Sequence, residues 1–231
     1  MLSKSVLSLS LILLLAASAY SHDLWVEKAD GKYVLMFGHM ERIETYNPGW
    51  VREIKGYDGK MNAVKLNVIK GKENVSFSSK KPVALVSLVF DSGYWVKTED
   101  GLRNISKRGL TNYLEATHFI EPVKTIFRWS EQFTRPVGTR MEIVPLKNPL
   151  TLKPGETLPI KVIFEGNPLA GAVVTSHGEL TGIRTGKDGC AQVRIEEKGL
   201  QVFAAKHKVQ LNGDSDADFQ VFQAYISFEV R

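Results

Sequence analysis

The segment Leu158-Pro159-Ile160-Lys161-Val162-Ile163-Phe164 carries apolar side chains at 158, 160, 162 and 164 and is closed by Glu165-Gly166-Asn167-Pro168. A period of two puts those four side chains on one face of an extended strand, and the glycine, asparagine and proline that follow make a turn. The pattern recurs downstream, with strands expected at about 170 to 177, 190 to 196, 200 to 207 and 220 to 230. Helix-compatible spacing is scarce. Short alternating segments divided by turns predict a mainly β chain, ending in an immunoglobulin-like β-sandwich over 147–231. The boundary falls at Pro145-Leu146-Lys147-Asn148-Pro149, where two prolines and an asparagine interrupt the strand Met141 to Val144.

The preceding β-rich domain spans 22–146. Within it, Val83 to Phe90 and Tyr94 to Lys97, joined by Asp91-Ser92-Gly93, read as a hairpin. Residues 109 to 134 mix both periods, and Pro122 limits any long helix there.

Ahead of these domains, Lys4 precedes the apolar run Leu11-Ile12-Leu13-Leu14-Leu15-Ala16-Ala17, and small residues follow. That is the pattern of a secretory signal peptide. Cleavage after Ala17-Ser18-Ala19 leaves Tyr20 first, whereas cleavage after Ala19-Tyr20-Ser21 leaves His22 first. The second is preferred, giving 1–21 as the signal. The run is too short to favour a bilayer span, and no later stretch approaches the roughly 20 apolar residues a span needs. The expected product is therefore secreted, with no transmembrane span in the mature chain. Loss of Lys4 lowers the formal charge from +5 to +4, with no dense basic run, so nucleic acid is not an expected partner. The lone Cys190 has no internal disulfide partner, and it reads as a small buried residue opening a strand after Gly186-Lys187-Asp188-Gly189.

The mature N-terminus carries the chemistry. Residues 22–39, HDLWVEKADGKYVLMFGH, read as one hairpin around Asp30-Gly31, a preferred two-residue turn because both central positions need positive φ. Opposed residues then have numbers summing to 61: Val26 faces Leu35, Leu24 faces Phe37, and His22 faces His39. Directly opposed Cβ atoms lie about 4.5 to 5.5 Å apart, close enough for two imidazoles to share one ion. If His22 is the first residue, its α-amino group adds a third nitrogen. Such a nitrogen-rich set suits nickel(II) or copper(II) better than magnesium or calcium. A three-residue turn would dissolve the register, and the pair would then be only the polar end of a sheet.

Two histidines underfill a metal site. His118 and His207 are equal candidates to complete it, with His177 ranked behind them. Asp214, Asp216 and Asp218 alternate, but the sixth position of the loop is Phe219 and the twelfth Tyr225, so it fails the EF-hand pattern and reads as a solvated loop. No Gly-x-Ser-x-Gly elbow, phosphate-cradling glycine loop or nucleophilic Cys/His spacing occurs, which shifts weight from an enzyme to a binding role.

His22-Asp23-Leu24-Trp25-Val26-Glu27 after a signal peptide, followed by Phe37-Gly38-His39, resembles the opening of periplasmic nickel- and cobalt-uptake accessory proteins associated with energy-coupling-factor transporters. Residues 142–149, Pro168-Leu169-Ala170-Gly171-Ala172, Lys187-Asp188-Gly189 and Ile226-Ser227-Phe228-Glu229-Val230 are similar to that family's pattern as well. The resemblance implies two β-rich domains, export across the inner membrane to the periplasm, and capture of a divalent metal ion for delivery to an inner-membrane metal transporter; nickel(II) is the favoured ion, with cobalt(II), or copper(II) from the nitrogen donor set, as the other expected cargoes. Its N-terminal histidine carries over to His22 and its Gly-His to His39. A copper carrier, an oxidative copper enzyme built on the N-terminal histidine, and a metal-free structural or adhesive β-sandwich are the competing expectations. Because imidazole must be neutral to bind, affinity should fall as pH drops through about 6.5.

Overall fold

The Asp30-Gly31 turn fixes the first element. In the computed structural model, which describes residues 22–231, Asp30 and Gly31 take φ of 49° and 74°. The strands Asp23–Ala29 and Lys32–His39 pair antiparallel with Ala29 opposite Lys32, Val26 opposite Leu35 and Leu24 opposite Phe37, the register expected from the turn. The signal peptide assigned to 1–21 lies outside the described residues. Lys32–His39 goes on to pair with Val75–Ser78, which pairs with Asn67–Lys70, and the short strand Arg42–Ile43 folds back on Gly38 and His39.

This small sheet lies on one face of a nine-stranded sheet. Its order is Glu179–Arg184, Val173–Ser176, Gly199–Gln210, Phe219–Val230, Glu115–Ile126, Leu85–Thr98, Val51–Tyr57 and Ala63–Val64, with Gly101–Arg103 added to Leu85–Thr98. Glu115–Ile126 and Phe219–Val230 run parallel, and the other neighbours in this order are antiparallel. Strands from either side of residue 147 therefore share one sheet. A third sheet, Met141–Pro145 and Thr157–Phe164 with Asn167–Pro168 and Cys190–Arg194, covers the opposite face.

Period-two burial sorts the side chains between two cores. Phe222, Ala224, Ile226 and Phe228 pack with Leu158, Ile160 and Val162 of the third sheet, while Tyr225, Val123 and Leu88 pack with Leu24, Val26 and Leu35 of the hairpin. Each face thus forms a β-sandwich with the central sheet. Lys124 crosses the first interface to Glu142, and both side chains are 3% exposed. Glu142 also accepts from the amides of Val137 and Gly138.

Several expectations need correction. The hairpin expected at Asp91-Ser92-Gly93 is instead a bulge inside the single strand Leu85–Thr98: Gly93 opposes Phe119 and Asp91 opposes Ile120, leaving Ser92 as the extra residue. The reason is the twelve-residue strand Glu115–Ile126, which pairs with both halves and holds them in line. Pro122 lies inside that strand. The parallel ladder runs to Ile120 opposite Phe222 and resumes at Val123 opposite Tyr225, so the residue without an amide donor falls in the gap. Cys190 opens its strand as expected but is half-buried. The 214–218 loop is tied down, with Asp216 accepting from Ser106 and Arg108 and Asp218 from Lys107 and the Ala116 amide.

Candidate metal centre

The two-residue turn brings His22 and His39 together at the open end of the hairpin. Their ring centroids are 5.1 Å apart and tilted by 47°. Rings at that spacing can each turn a nitrogen toward a shared ion at about 2.0–2.1 Å. The His22 ring packs at 4.6 Å against Phe37, which in turn stacks on Phe90 of the central sheet, so an aromatic wall backs the pair on its protein side. Both histidines are half-buried.

Glu44 completes the surroundings. Its Oε2 lies 3.3 Å from His22 Nε2, and its amide donates to the Phe37 carbonyl at 2.8 Å. Gly38 makes this approach possible. With φ of 136°, it sits so close to the returning chain that a Cβ would collide with the Arg42 carbonyl and meet the Glu44 amide nitrogen at 3.0 Å. The Gly-His pair in the sequence thus has two parts: the histidine supplies a ring, and the glycine admits the segment carrying a carboxylate.

Beneath His22 lies a polar cluster. Tyr225 donates its phenolic proton to the His22 carbonyl at 2.8 Å, lies 3.1 Å from Glu121 Oε1, and accepts from the Gln223 side chain at 2.8 Å. Burial pushes the Glu121 carboxyl up to about 7, against the opposing pull of the Tyr225 hydrogen bond and the Lys206 charge, with a small further rise from nearby Asp23. Asp23 is 1% exposed, neither of its carboxylate oxygens has a hydrogen-bond partner, and burial raises it to about 7 as well.

The other sequence candidates stand elsewhere. His118 shares the opposite face of the central sheet with Gln220 and Phe222; its Nε2 meets Asp91 Oδ1 at 2.8 Å and its Nδ1 meets the Gln220 amide at 3.2 Å. His207 is on that face too, its ring 4.7 Å from Phe164, and burial lowers its pKa. His177 sits at φ 48° beside the edge strand Glu179–Arg184. None of these three is brought to His22. Among the described residues, no three His, Cys, Asp or Glu side chains already form a metal-holding group. His22, His39 and Glu44 are neighbours but do not form such a group. A cleft of about 620 Å³ at the turn end of the hairpin contains neither histidine.

Glu44, Asp23 and Glu121 escaped sequence reasoning. Phe37-Gly38-His39 held the one usable signal, since a glycine inside a strand marks a close backbone approach. Nothing local points to Glu121 or Tyr225.

Among the described residues, no helix is long and apolar enough to cross a membrane. Among solved structures, the chain is similar to the N-terminal four immunoglobulin domains of Dscam1 isoform 9.44, at 12% identity and TM-score 0.21 over 91% of this chain, and it spans 41% of that one. It is also similar to the D0-D1 domain of intimin, at 15% identity and TM-score 0.23, over 90% of this chain and 98% of that one. No curated protein matches. The model of one family, described as a domain of unknown function (DUF4198), matches residues 19–209, and the chain belongs to that family.

Proposed function

We propose that this protein binds a divalent transition-metal ion, nickel(II) first, in the periplasm through His22 and His39 and delivers it to a membrane uptake transporter. The observation that carries the reading is the hairpin register, which sets two half-buried imidazoles across from one another with centroids 5.1 Å apart. The Glu44 carboxylate 3.3 Å from His22 supplies an oxygen donor at the same place. In a chain processed to begin at His22, the α-amino group joins the ring nitrogens. The resemblance of the HDLWVE and Phe-Gly-His segments to nickel- and cobalt-uptake accessory proteins favours nickel and supports the transporter partner.

Copper(II) binds most nitrogen sites more tightly than nickel(II), so tighter copper binding in vitro does not decide the cargo. The deciding experiment is the intact mass, under non-denaturing conditions, of the chain secreted by a bacterial host supplied with nickel, beside His22→Ala and His39→Ala variants. A chain starting at His22 with one nickel, lost in both variants, supports the proposal. A metal-free chain, or nickel retained without the histidines, refutes it.

A further inference from the structure

We propose that the protein carries a separate binding site for a neutral saccharide, in the cleft that β-bulges on two neighbouring strands open beside Asp91. The site shares no residue with the histidine pair and stands apart from the metal-binding reading.

The two bulges face one cleft. In Leu85–Thr98, Ser92 is the extra residue opposite Glu115–Ile126. In Val51–Tyr57, Val51 opposes Phe90 and Glu53 opposes Val89, which leaves Arg52 as the extra residue. Past Phe90, Leu85–Thr98 has no strand neighbour on this side until Val96 meets Arg103. That interval is a shallow cleft of about 290 Å³, lined by Trp50, Arg52, Asp91, Tyr94, Asn104 and Ile105 among others. Gly93, at φ 77°, keeps it open, since no atom lies within 4 Å of where a Cβ would stand. A bulge re-aims side chains, and this pair brings Arg52 to 3.5 Å from Asp91.

The polar groups of the cleft are fixed by the protein with part of their bonding capacity unused. The Gln220 side-chain amide donates to His118 Nδ1 at 3.2 Å, so His118 Nε2 donates to Asp91 Oδ1 at 2.8 Å, and the Gly93 amide donates to the same oxygen at 3.1 Å. Among the described residues, Asp91 Oδ2 has only Arg52 Nε, at 3.5 Å. The Asn104 side-chain nitrogen donates to the Ser92 and Tyr94 carbonyls, each at 2.9 Å, which holds its Oδ1 as an acceptor. The Arg52 side chain is 57% exposed and keeps its terminal nitrogens as donors.

That set decides the ligand class. Arg52 and Asp91 offset one another, so a charged ligand gains nothing: an anion meets Asp91 and a cation meets Arg52. Ser106 at the rim is spent on Asp216, which Arg108 neutralises in turn. A sugar hydroxyl donates and accepts at once, and neighbouring hydroxyls can span a carboxylate, an amide oxygen and a guanidinium set side by side. The C–H face of the ring needs an apolar surface. Trp50, packed edge to face with Phe90 at 5.6 Å and Trp95 at 6.2 Å, and Ile105 supply it. The volume, at the small end for ligand pockets, suits about one or two sugar rings.

The test is ligand-observed NMR titration of the secreted chain with cellobiose, maltose, lactose and diacetylchitobiose, with glucuronate and glucosamine as charged controls, beside Arg52→Ala and Asn104→Ala. At least one neutral disaccharide is expected to bind the wild type with a Kd of about 1 mM or tighter, more tightly than either charged control and equally well in nickel or in chelator. Each variant should weaken that binding about 10-fold or more, because each removes hydrogen bonds to the ligand or the group that orients them. No binding of any of the four disaccharides, tighter binding of a charged control, binding that needs nickel, or binding within about 2-fold of wild type in Arg52→Ala overturns the proposal. If Asn104→Ala fails to fold, Arg52→Ala decides the matter alone, since its side chain is exposed.

Discussion

Asp23→Asn should change how the metal-free protein responds to pH. The Asp23 carboxyl is raised by burial from an ordinary 3.8 to about 7. The folded chain therefore keeps a proton that the unfolded chain releases across the interval between those values, so the stability this group allows is complete below about pH 4 and is lost as pH rises through 7. At about 1.36 kcal/mol per pH unit, holding the ionised group in this site costs about 4 kcal/mol. Asparagine keeps the shape and cannot ionise. Urea unfolding of both chains in chelator, at intervals from pH 4 to 8, isolates the group by difference: the stability of the variant minus that of the wild type should rise by about 4 kcal/mol over that range. Glu121, raised to about 7, pulls in the same direction in both chains. Asp216, lowered to about 2 by hydrogen bonds from Ser106 and Arg108, acts below pH 4 and is also common to both. Lys206, Tyr225 and the His22 backbone face the cluster unchanged. A difference that stays flat from pH 4 to 8, or a variant less stable than wild type at pH 8, would refute the reasoning, because either means that the folded chain supplies donors to the Asp23 carboxylate.

Three further outcomes are expected. His39→Ala should weaken nickel binding by about 100-fold or more while changing stability by less than about 1 kcal/mol, since the ring is half-buried and at the hairpin end; calorimetry and urea unfolding read the two separately. Gly38→Ala should destabilise by about 2 kcal/mol or more, because φ of 136° and the collision with Arg42 both oppose a Cβ, and nickel affinity of the folded fraction should fall as Glu44 is pushed from His22. Lys124→Met should cost about 3–5 kcal/mol by leaving Glu142 buried and unpaired, whereas adding Glu142→Leu should recover part of that loss in thermal unfolding.

What the sequence made legible depended on how local the determinants were. The Asp30-Gly31 turn specifies its own backbone, so the hairpin register and the facing of His22 and His39 followed from residue identities alone. The face of 158–164 was legible for the same reason, since period-two burial needs no knowledge of the partner. The Asp91-Ser92-Gly93 segment shows the limit. A turn-like triplet bends the chain unless another strand lies along both of its flanks, and that strand, Glu115–Ile126, belongs to the stretch whose periodicity was unreadable. Pro122 obscured it, being tolerated only because the parallel ladder is interrupted beside it. Glu121 reaches the site from 99 positions away along the chain through Tyr225, a relation no spacing rule encodes.

Some of the places where this fold departs from local preference adjoin the first hairpin, while His177, at φ 48° and with a buried ring nitrogen lacking a hydrogen-bond partner, lies elsewhere. Gly38 takes a backbone conformation closed to other residues, Pro122 stands inside a central strand, and Asp23 buries a carboxylate without donors. Gly38 sets His39 and Glu44 and Asp23 follows His22, so these two adjoin the open end of the first hairpin, whereas Pro122 lines the opposite face of the central sheet with Val137, Thr139 and Phe222. The hydrophobic cores on either side of the central sheet show ordinary period-two burial over the same strands. Departures of this kind persist where function offsets their cost. Gly38 and Asp23 thus flank the two histidines with a constrained backbone and a buried carboxylate, and the stability cost of Asp23 is the part of that arrangement that pH-dependent unfolding reads directly.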